Sequence, residues 1–100
     1  MARVVIIGAS IGGLPAAYEA RELLAKKHKV TVISNVESFH FVPSNPWVAV
    51  GWRTRKDISF ALGPVLEKKG VEFIHAMADR IEPEQNRVIT SKGEVPYDYL

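Results

Sequence analysis

The stretch Val4-Val5-Ile6-Ile7-Gly8-Ala9-Ser10-Ile11-Gly12-Gly13 holds the residues best suited to chemistry, and that chemistry is done by backbone rather than side chains. Four apolar residues, all of them β-branched, suit a strand covered on both faces. A glycine-rich turn then leads into a helix, whose first N–H groups lack intrahelical partners and whose dipole is positive at that end. Such a turn attracts a phosphate. Gly8 permits the tight exit from the strand. Gly13 lets the helix lie close on the sheet, so a large side chain such as Leu there would overpack the contact, and Ala17 continues the small surface. The middle position of the usual glycine fingerprint is Ser10, with Gly12 as an additional small residue. Ser10 keeps a Cβ away from no one, but its hydroxyl can bond a phosphate oxygen. Two readings stand: a dinucleotide-binding βαβ unit, or a tight strand-to-helix turn without ligand.

The next polar groups lie at the end of the second apolar run, Val30-Thr31-Val32-Ile33. An acidic side chain roughly 20 residues beyond the glycine turn usually accepts from ribose hydroxyls. Ser34 and Asn35 stand there instead, with Glu37 slightly further on. They either bond a ribose without the help of a carboxylate charge or begin a turn. No Arg stands at this strand end to favour a 2′-phosphate. His28, His40 and His75 have no spacing that suggests a metal, and no nucleophile–base set is evident. Without cysteine, the chain has neither disulfides nor thiol chemistry of its own. Redox chemistry here has to come from a bound cofactor. A net charge of +2 is too small to suggest a nucleic-acid partner. Lys26 to Lys29 read as a solvated helix end.

The elements that position these groups follow from periodicity. Gly13, Ala17, Ala20 and Leu24 share one face of a helix expected from Gly13 to about Lys27, with Pro15 in its first turn and Glu22 placed to pair with Lys26. Asn35 to Lys56 reads as a long, mostly irregular stretch containing Phe39, Phe41, Trp47 and Trp52. Its centre, Phe41-Val42-Pro43-Ser44-Asn45-Pro46-Trp47, either presents flat apolar surface and fixed carbonyls to a planar ligand or caps the core. Asp57 suits the N-cap of a helix to about Lys69 that buries Ile58, Ala61, Leu62, Val65 and Leu66, bends or restarts at Gly63-Pro64, and ends at Gly70. Val71 to Ile74 is a third strand. Arg87–Thr90 and Val95–Tyr99 form an antiparallel hairpin across Ser91-Lys92-Gly93-Glu94. The fold class is therefore α/β: a Rossmann-like parallel sheet with helices, Val4–Ile7 central in it, plus a C-terminal antiparallel β-hairpin. With 100 residues and 47% hydrophobic content the chain forms at most one domain. It reads as the N-terminal part, residues 1–100, of a truncated FAD/NAD(P)-binding domain. Its uncovered sheet edge suggests self-association, and no apolar run is long enough to span a bilayer.

Val5-Ile6-Ile7-Gly8-Ala9-Ser10-Ile11-Gly12-Gly13, Phe41-Val42-Pro43-Ser44-Asn45-Pro46-Trp47-Val48 and Tyr97-Asp98-Tyr99-Leu100 together resemble the sulfide:quinone oxidoreductases. These are flavoproteins with two dinucleotide-binding domains, related to flavocytochrome c sulfide dehydrogenase and type II NADH dehydrogenases. The resemblance implies FAD, with its pyrophosphate over Gly8, Ala9, Ser10, Ile11, Gly12 and Gly13. The adenosine ribose would lie near Ser34 and Asn35, the adenine beside Met77 and Ala78, and the flavin near Pro43 and Asn45. It further implies a parent enzyme, peripheral to the cytoplasmic membrane, that oxidises sulfide and passes electrons through flavin to quinone. Active cysteines and membrane-binding elements would lie beyond Leu100, so this stretch alone is expected to be inactive. A related NADH:quinone enzyme, a flavocytochrome c sulfide dehydrogenase and a non-enzymatic nucleotide-binding domain are the alternatives.

Overall fold

The computed structural model describes residues 1–100. In chain order the strands are β1 (Arg3–Ile7), β2 (Lys29–Ser34), β3 (Ser38–His40), β4 (Ser59–Ala61), β5 (Glu72–His75), β6 (Ala78–Glu82), β7 (Arg87–Thr90) and β8 (Gly93–Pro96). The helices are α1 (Gly13–Leu23), α2 (Asn45–Ala49) and α3 (Leu62–Lys69). Three small sheets result: parallel β1-β2-β5, antiparallel β3-β4 and antiparallel β6-β7-β8.

The period-two alternation of β2 sets the layering. Val30 and Val32 join Leu14, Ala17, Leu62 and Leu66 in one buried cluster, so this face packs on α1 and α3. Ile33 turns the other way and joins Val5, Val88 and Tyr97, placing the antiparallel meander on the opposite face. The parallel sheet is thus covered on both faces, which is why its middle strand is apolar nearly throughout. The fold departs from a sheet wound with helices on both sides, because β6-β7-β8 takes the place of one helical layer.

The register is continuous from Arg3↔Lys29 to Ile7↔Ile33 and from Thr31↔Glu72 to Ser34↔His75. This makes β2 the middle strand, a correction to the expectation that Val4–Ile7 is central. On its outer side β1 has a single parallel bridge, Val4 to Tyr99. That bridge is secured by Arg3 and Asp98. The Asp98 carboxylate accepts from the Arg3 backbone N–H at 2.7 Å and from Nε at 3.1 Å. In return the amides of Asp98 and Tyr99 donate to the Arg3 carbonyl at 2.8 and 3.1 Å, and the Val5 amide donates to Tyr99.

Other boundaries move for identifiable reasons. α1 stops at Leu23 rather than Lys27: Leu24 is extended, and a turn closed by the His28 amide on Ala25 lowers the chain into β2. Lys26 is then off the helix, and Glu22 pairs with Lys69 of α3 instead. Asp57 is not a helix N-cap. It is the third residue of a 3-10 turn, Arg55–Ile58, and closes a reciprocal capping box with Thr54. α3 begins only at Leu62, which puts Pro64 in the first turn, where its missing N–H leaves no gap. Gly70 ends it in the left-handed region at φ 84°. The expected C-terminal hairpin is a three-stranded meander, because Ala78–Glu82 pairs with β7 on the other side, and its last strand is Gly93–Pro96 rather than Val95–Tyr99.

Two measurements check this arrangement. Amide hydrogen exchange should be slowest at Val32 and Ile33, slower than at Val4–Ile7; the reverse order would contradict β2 as the middle strand. The second concerns acid. Arg3, by hydrogen bond first and charge second, lowers the pKa of Asp98. A carboxylate lowered in the folded state stabilises it fully above the unfolded value of about 3.9 and loses that contribution as the pH falls through the folded pKa. The carboxyl carbon of Asp98, followed by NMR, should titrate below the usual carboxylate range, and Arg3→Gln should move its midpoint up.

Candidate cofactor-binding site

The carboxyl ends of β1, β2 and β5 meet at one edge, where ligands of open α/β sheets bind. At this edge the chain leaves β1 through Gly8, whose φ of +98° is the left-handed backbone that glycine tolerates. Its amide donates to the Ile33 carbonyl at 2.8 Å, tying the turn to β2. The chain then returns so closely that a Cβ on Gly13 would stand 1.9 Å from the Gly8 carbonyl oxygen. The jobs assigned to Gly8 and Gly13 from sequence are thus visible in the backbone. Gly12, by contrast, has open space around it.

This turn leaves its donors free. Gly12 is the N-cap of α1 and no side chain caps the helix. The amides of Ala9, Ser10, Ile11, Gly12 and Gly13 donate to no backbone or side-chain acceptor of the chain, and the first that does is Leu14, to Ser10 at 3.0 Å. Ser10, Ile11 and Gly12 are exposed. A row of unpartnered N–H groups at a helix N-terminus fits a pyrophosphate without rearrangement.

Beside the turn lies a hollow of about 150 Å³ that brings together Gly8, Ser34, Asn35, Met77 and Ala78 with Ile7, Ile33 and Ala76. Residues far apart in sequence but assigned to adenosine share this one concavity. Ser34 is buried, and its hydroxyl donates to the Val36 carbonyl at 2.8 Å while accepting from the Val36 amide at 3.2 Å. Of its two possible roles, the side chain therefore takes the turn-forming one. Asn35 remains the exposed polar side chain at the rim. Two groups not singled out for this site from sequence adjoin it. His75 Nε2 lies 3.2 Å from the Asn35 carbonyl, and its Nδ1 is 3.8 Å from a Glu37 carboxylate oxygen. The Ser34↔His75 register brings them there, a pairing that no local pattern discloses.

Pro43 and Asn45 do not line this hollow. They sit in the excursion between β2 and α3, which is more ordered than a mostly irregular stretch. β3 and β4 pair there, and Phe39 stacks on Phe60 with ring centroids 5.0 Å apart. Val42–Ser44 forms a 3-10 turn that runs directly into α2, leaving Pro43 and Asn45 exposed on either side of buried Ser44. The aromatics divide: Phe39 is core, whereas Phe41, Trp47 and Trp52 are exposed. A second cavity of about 400 Å³ opens between Phe39, Phe60 and Phe41 on one side and Ser44, Arg53 and Asp57 on the other. Asp57 is held below its ordinary pKa by the Thr54 backbone N–H and hydroxyl, with a smaller contribution from Arg53.

With this geometry the relationships of the chain become clear. A family model for the pyridine nucleotide-disulphide oxidoreductases matches residues 2–100, and the chain belongs to that family. FAD is the cofactor this assignment brings, and the free amides of Ala9 to Gly13 fit its pyrophosphate. A sulfide-quinone reductase from Aquifex aeolicus is 44% identical over 98 residues, covering 97% of this chain and 23% of that protein. A type II NADH:quinone oxidoreductase from Staphylococcus aureus is 22% identical across 98% of this chain and 25% of its own length. The chain thus spans about a quarter of the length of the curated relatives it matches. Among solved structures, the Aquifex aeolicus sulfide:quinone oxidoreductase superimposes with a TM-score of 0.94 at 42% identity, covering 100% of this chain and 23% of that one. NADH:rubredoxin oxidoreductase from Clostridium acetobutylicum shares the fold, with a TM-score of 0.74 at 22% identity over 97% of this chain and 26% of its own.

The Gly8–Gly13 contact supplies a test. Even Gly13→Ala must push α1 off the Gly8 carbonyl, and overpacking of this kind costs about 1–3 kcal/mol. Urea unfolding of Gly13→Ala should show that loss, and Gly13→Leu a larger one, whereas Gly12→Ala, facing open space, should unfold near wild type. Equal midpoints for wild type and Gly13→Ala would show that the close approach is absent.

Proposed function

We propose that this chain is the FAD-binding portion of a sulfide:quinone oxidoreductase-type flavoenzyme, which oxidises sulfide and passes the electrons through flavin to quinone. The observation that carries the cofactor part is the uninterrupted row of free amides from Ala9 to Gly13 above the strand ends. The likeness to the Aquifex sulfide-quinone reductase across nearly the whole chain selects the substrates. In this reading the turn residues Gly8, Ala9, Ser10, Ile11, Gly12 and Gly13 hold the pyrophosphate by backbone donors. Asn35 meets the ribose while Ser34 shapes the turn, Met77 and Ala78 flank the adenine, and Pro43 and Asn45 border the isoalloxazine. The flavin, when bound, supplies the two-electron chemistry that a chain without cysteine lacks. The role of these residues is to bind and orient it; sulfide-handling groups and membrane attachment belong to the remainder of the enzyme, and this stretch by itself is inactive.

A second reading, a type II NADH:quinone oxidoreductase, rests on the Staphylococcus relative. Anaerobic titration of the complete gene product separates the two. The purified protein should carry a flavin absorbance that sulfide bleaches and a quinone restores, with NADH giving no comparable reduction. Bleaching by NADH alone would favour the second reading, and a colourless protein that binds no added FAD would sink both.

A further inference from the structure

The segment that carries Pro43 and Asn45 has little to hold it by itself. α2 has only five residues and no side-chain cap, and helices this short are not stable on their own. Most of its surface is exposed, so packing does not hold it either. One side chain reaches both its N-cap, Ser44, and its middle residue, Trp47. Arg53 donates from Nη1 to the Ser44 hydroxyl at 2.7 Å. Its guanidinium also lies over the Trp47 ring, 5.1 Å from the centroid. The backbone brings it there: Gly51 turns the chain at φ +81°, and the amides of Trp52 and Arg53 both donate to the Trp47 carbonyl, at 2.9 and 3.2 Å. Ser44 is itself only 4% exposed, so the bond is made in a partly desolvated place, where it is stronger.

No carboxylate forms an ion pair with Arg53; in this it is like Arg21 and Arg55 and unlike Arg3, Arg80 and Arg87, which pair with Asp98, Glu82 and Glu94. Its partners are instead a hydroxyl and a π-face on the two sides of Asn45. A planar guanidinium can serve both at once, donating in its plane and stacking through its face. A lysine ammonium cannot reproduce both.

We infer that Arg53 is a positioning residue: by bridging Ser44 and Trp47 it fixes Pro43 and Asn45 where they border the flavin. This rests on the functional reading given above. It sets a hierarchy of variants. Arg53→Ala removes both contacts, Ser44→Ala removes one, and Arg53→Lys keeps the charge and one hydrogen bond but loses the planar guanidinium over the ring.

The test uses the complete gene product in a Trp52→Phe background, with emission read as the difference from the same protein carrying Trp47→Phe, so that Trp47 reports on the contact. Each variant is measured for Trp emission, for the flavin absorbance maxima and midpoint potential, and for the rate of flavin reduction by sulfide. Arg53→Ala should shift Trp47 emission, displace the flavin spectrum and potential, and slow reduction by about 10–100-fold, the range expected when a bound group is misplaced by about an ångström. Arg53→Lys and Ser44→Ala should each recover part of all three. A flavin-loaded Arg53→Ala protein with an altered Trp47 signal but unmoved flavin spectrum and potential would reduce Arg53 to a structural tie and overturn the inference. If Arg53→Ala does not fold, the same comparison is read from Arg53→Lys and Ser44→Ala. A wild-type protein that binds no flavin overturns the functional reading itself, and the inference with it.

Discussion

At Gly13 the first turn of α1 rests on the carbonyl of Gly8 with no side chain between them. That contact fixes how near the helix lies to the sheet and at what angle it leaves. Ala17, one turn on and fully buried, continues the approach. Because the helix starts so close to the end of β1, its free amides lie beside the strand ends, in the exposed turn Ser10–Gly12. The Gly8 amide, bonded to Ile33, holds the same turn to the middle strand. Core packing and the phosphate cradle thus have one cause, a backbone-to-backbone approach that only glycine allows.

The alternation along β2 distributes everything else. Val30 and Val32 draw α1 and α3 to one face, and Ile33 draws the meander to the other. Both faces being covered, the sheet can offer a ligand only its edge, at the carboxyl ends. The meander also shapes that edge, since the Ser91 amide donates to the Met77 carbonyl and the Ser91 hydroxyl accepts from the Met77 amide. These bonds hold the segment that forms one wall of the hollow beside Gly8 and Ser34. Its position depends on residues well beyond those that line it.

The parts that were legible in the sequence are those encoded locally. The glycine turn, the first two strands, the small face of α1 and the left-handed stop at Gly70 each depend on a few consecutive or helically spaced residues. What escaped depends on pairing across distance. β3 and β4 are only three residues each and are recognisable mainly through one another, Phe39 against Phe60. Asp57 has the side chain of an N-cap, but Thr54 is in place to accept it as the third residue of a shorter turn, so local chemistry alone permitted both. β6 reads Ala-Asp-Arg-Ile-Glu, too polar to suggest a strand, and is defined by its ladder with β7, with Arg80 and Arg87 sharing Glu82 at the surface. Ser34 kept two roles open in sequence because the same hydroxyl suits either; the position of Val36 decides between them.

The two halves of the candidate site are built by different means, and this bears on how such proteins diverge. The glycine cradle is made of backbone and demands a small residue at only a few positions. Of Gly12 and Gly13, only Gly13 is required by a close approach, since Gly12 has open space around it. The excursion between β2 and α3 is made of side-chain contacts: Phe39 on Phe60, Arg53 across Ser44 and Trp47, Asp57 on Thr54. Each is a specific pair that one substitution breaks and another rebuilds in a new geometry. Changes there reshape the cavity between Phe39, Phe60 and Arg53 without disturbing the approach of Gly13 to Gly8. The constraint on the first half is thus steric and local, and the constraint on the second is a set of replaceable contacts.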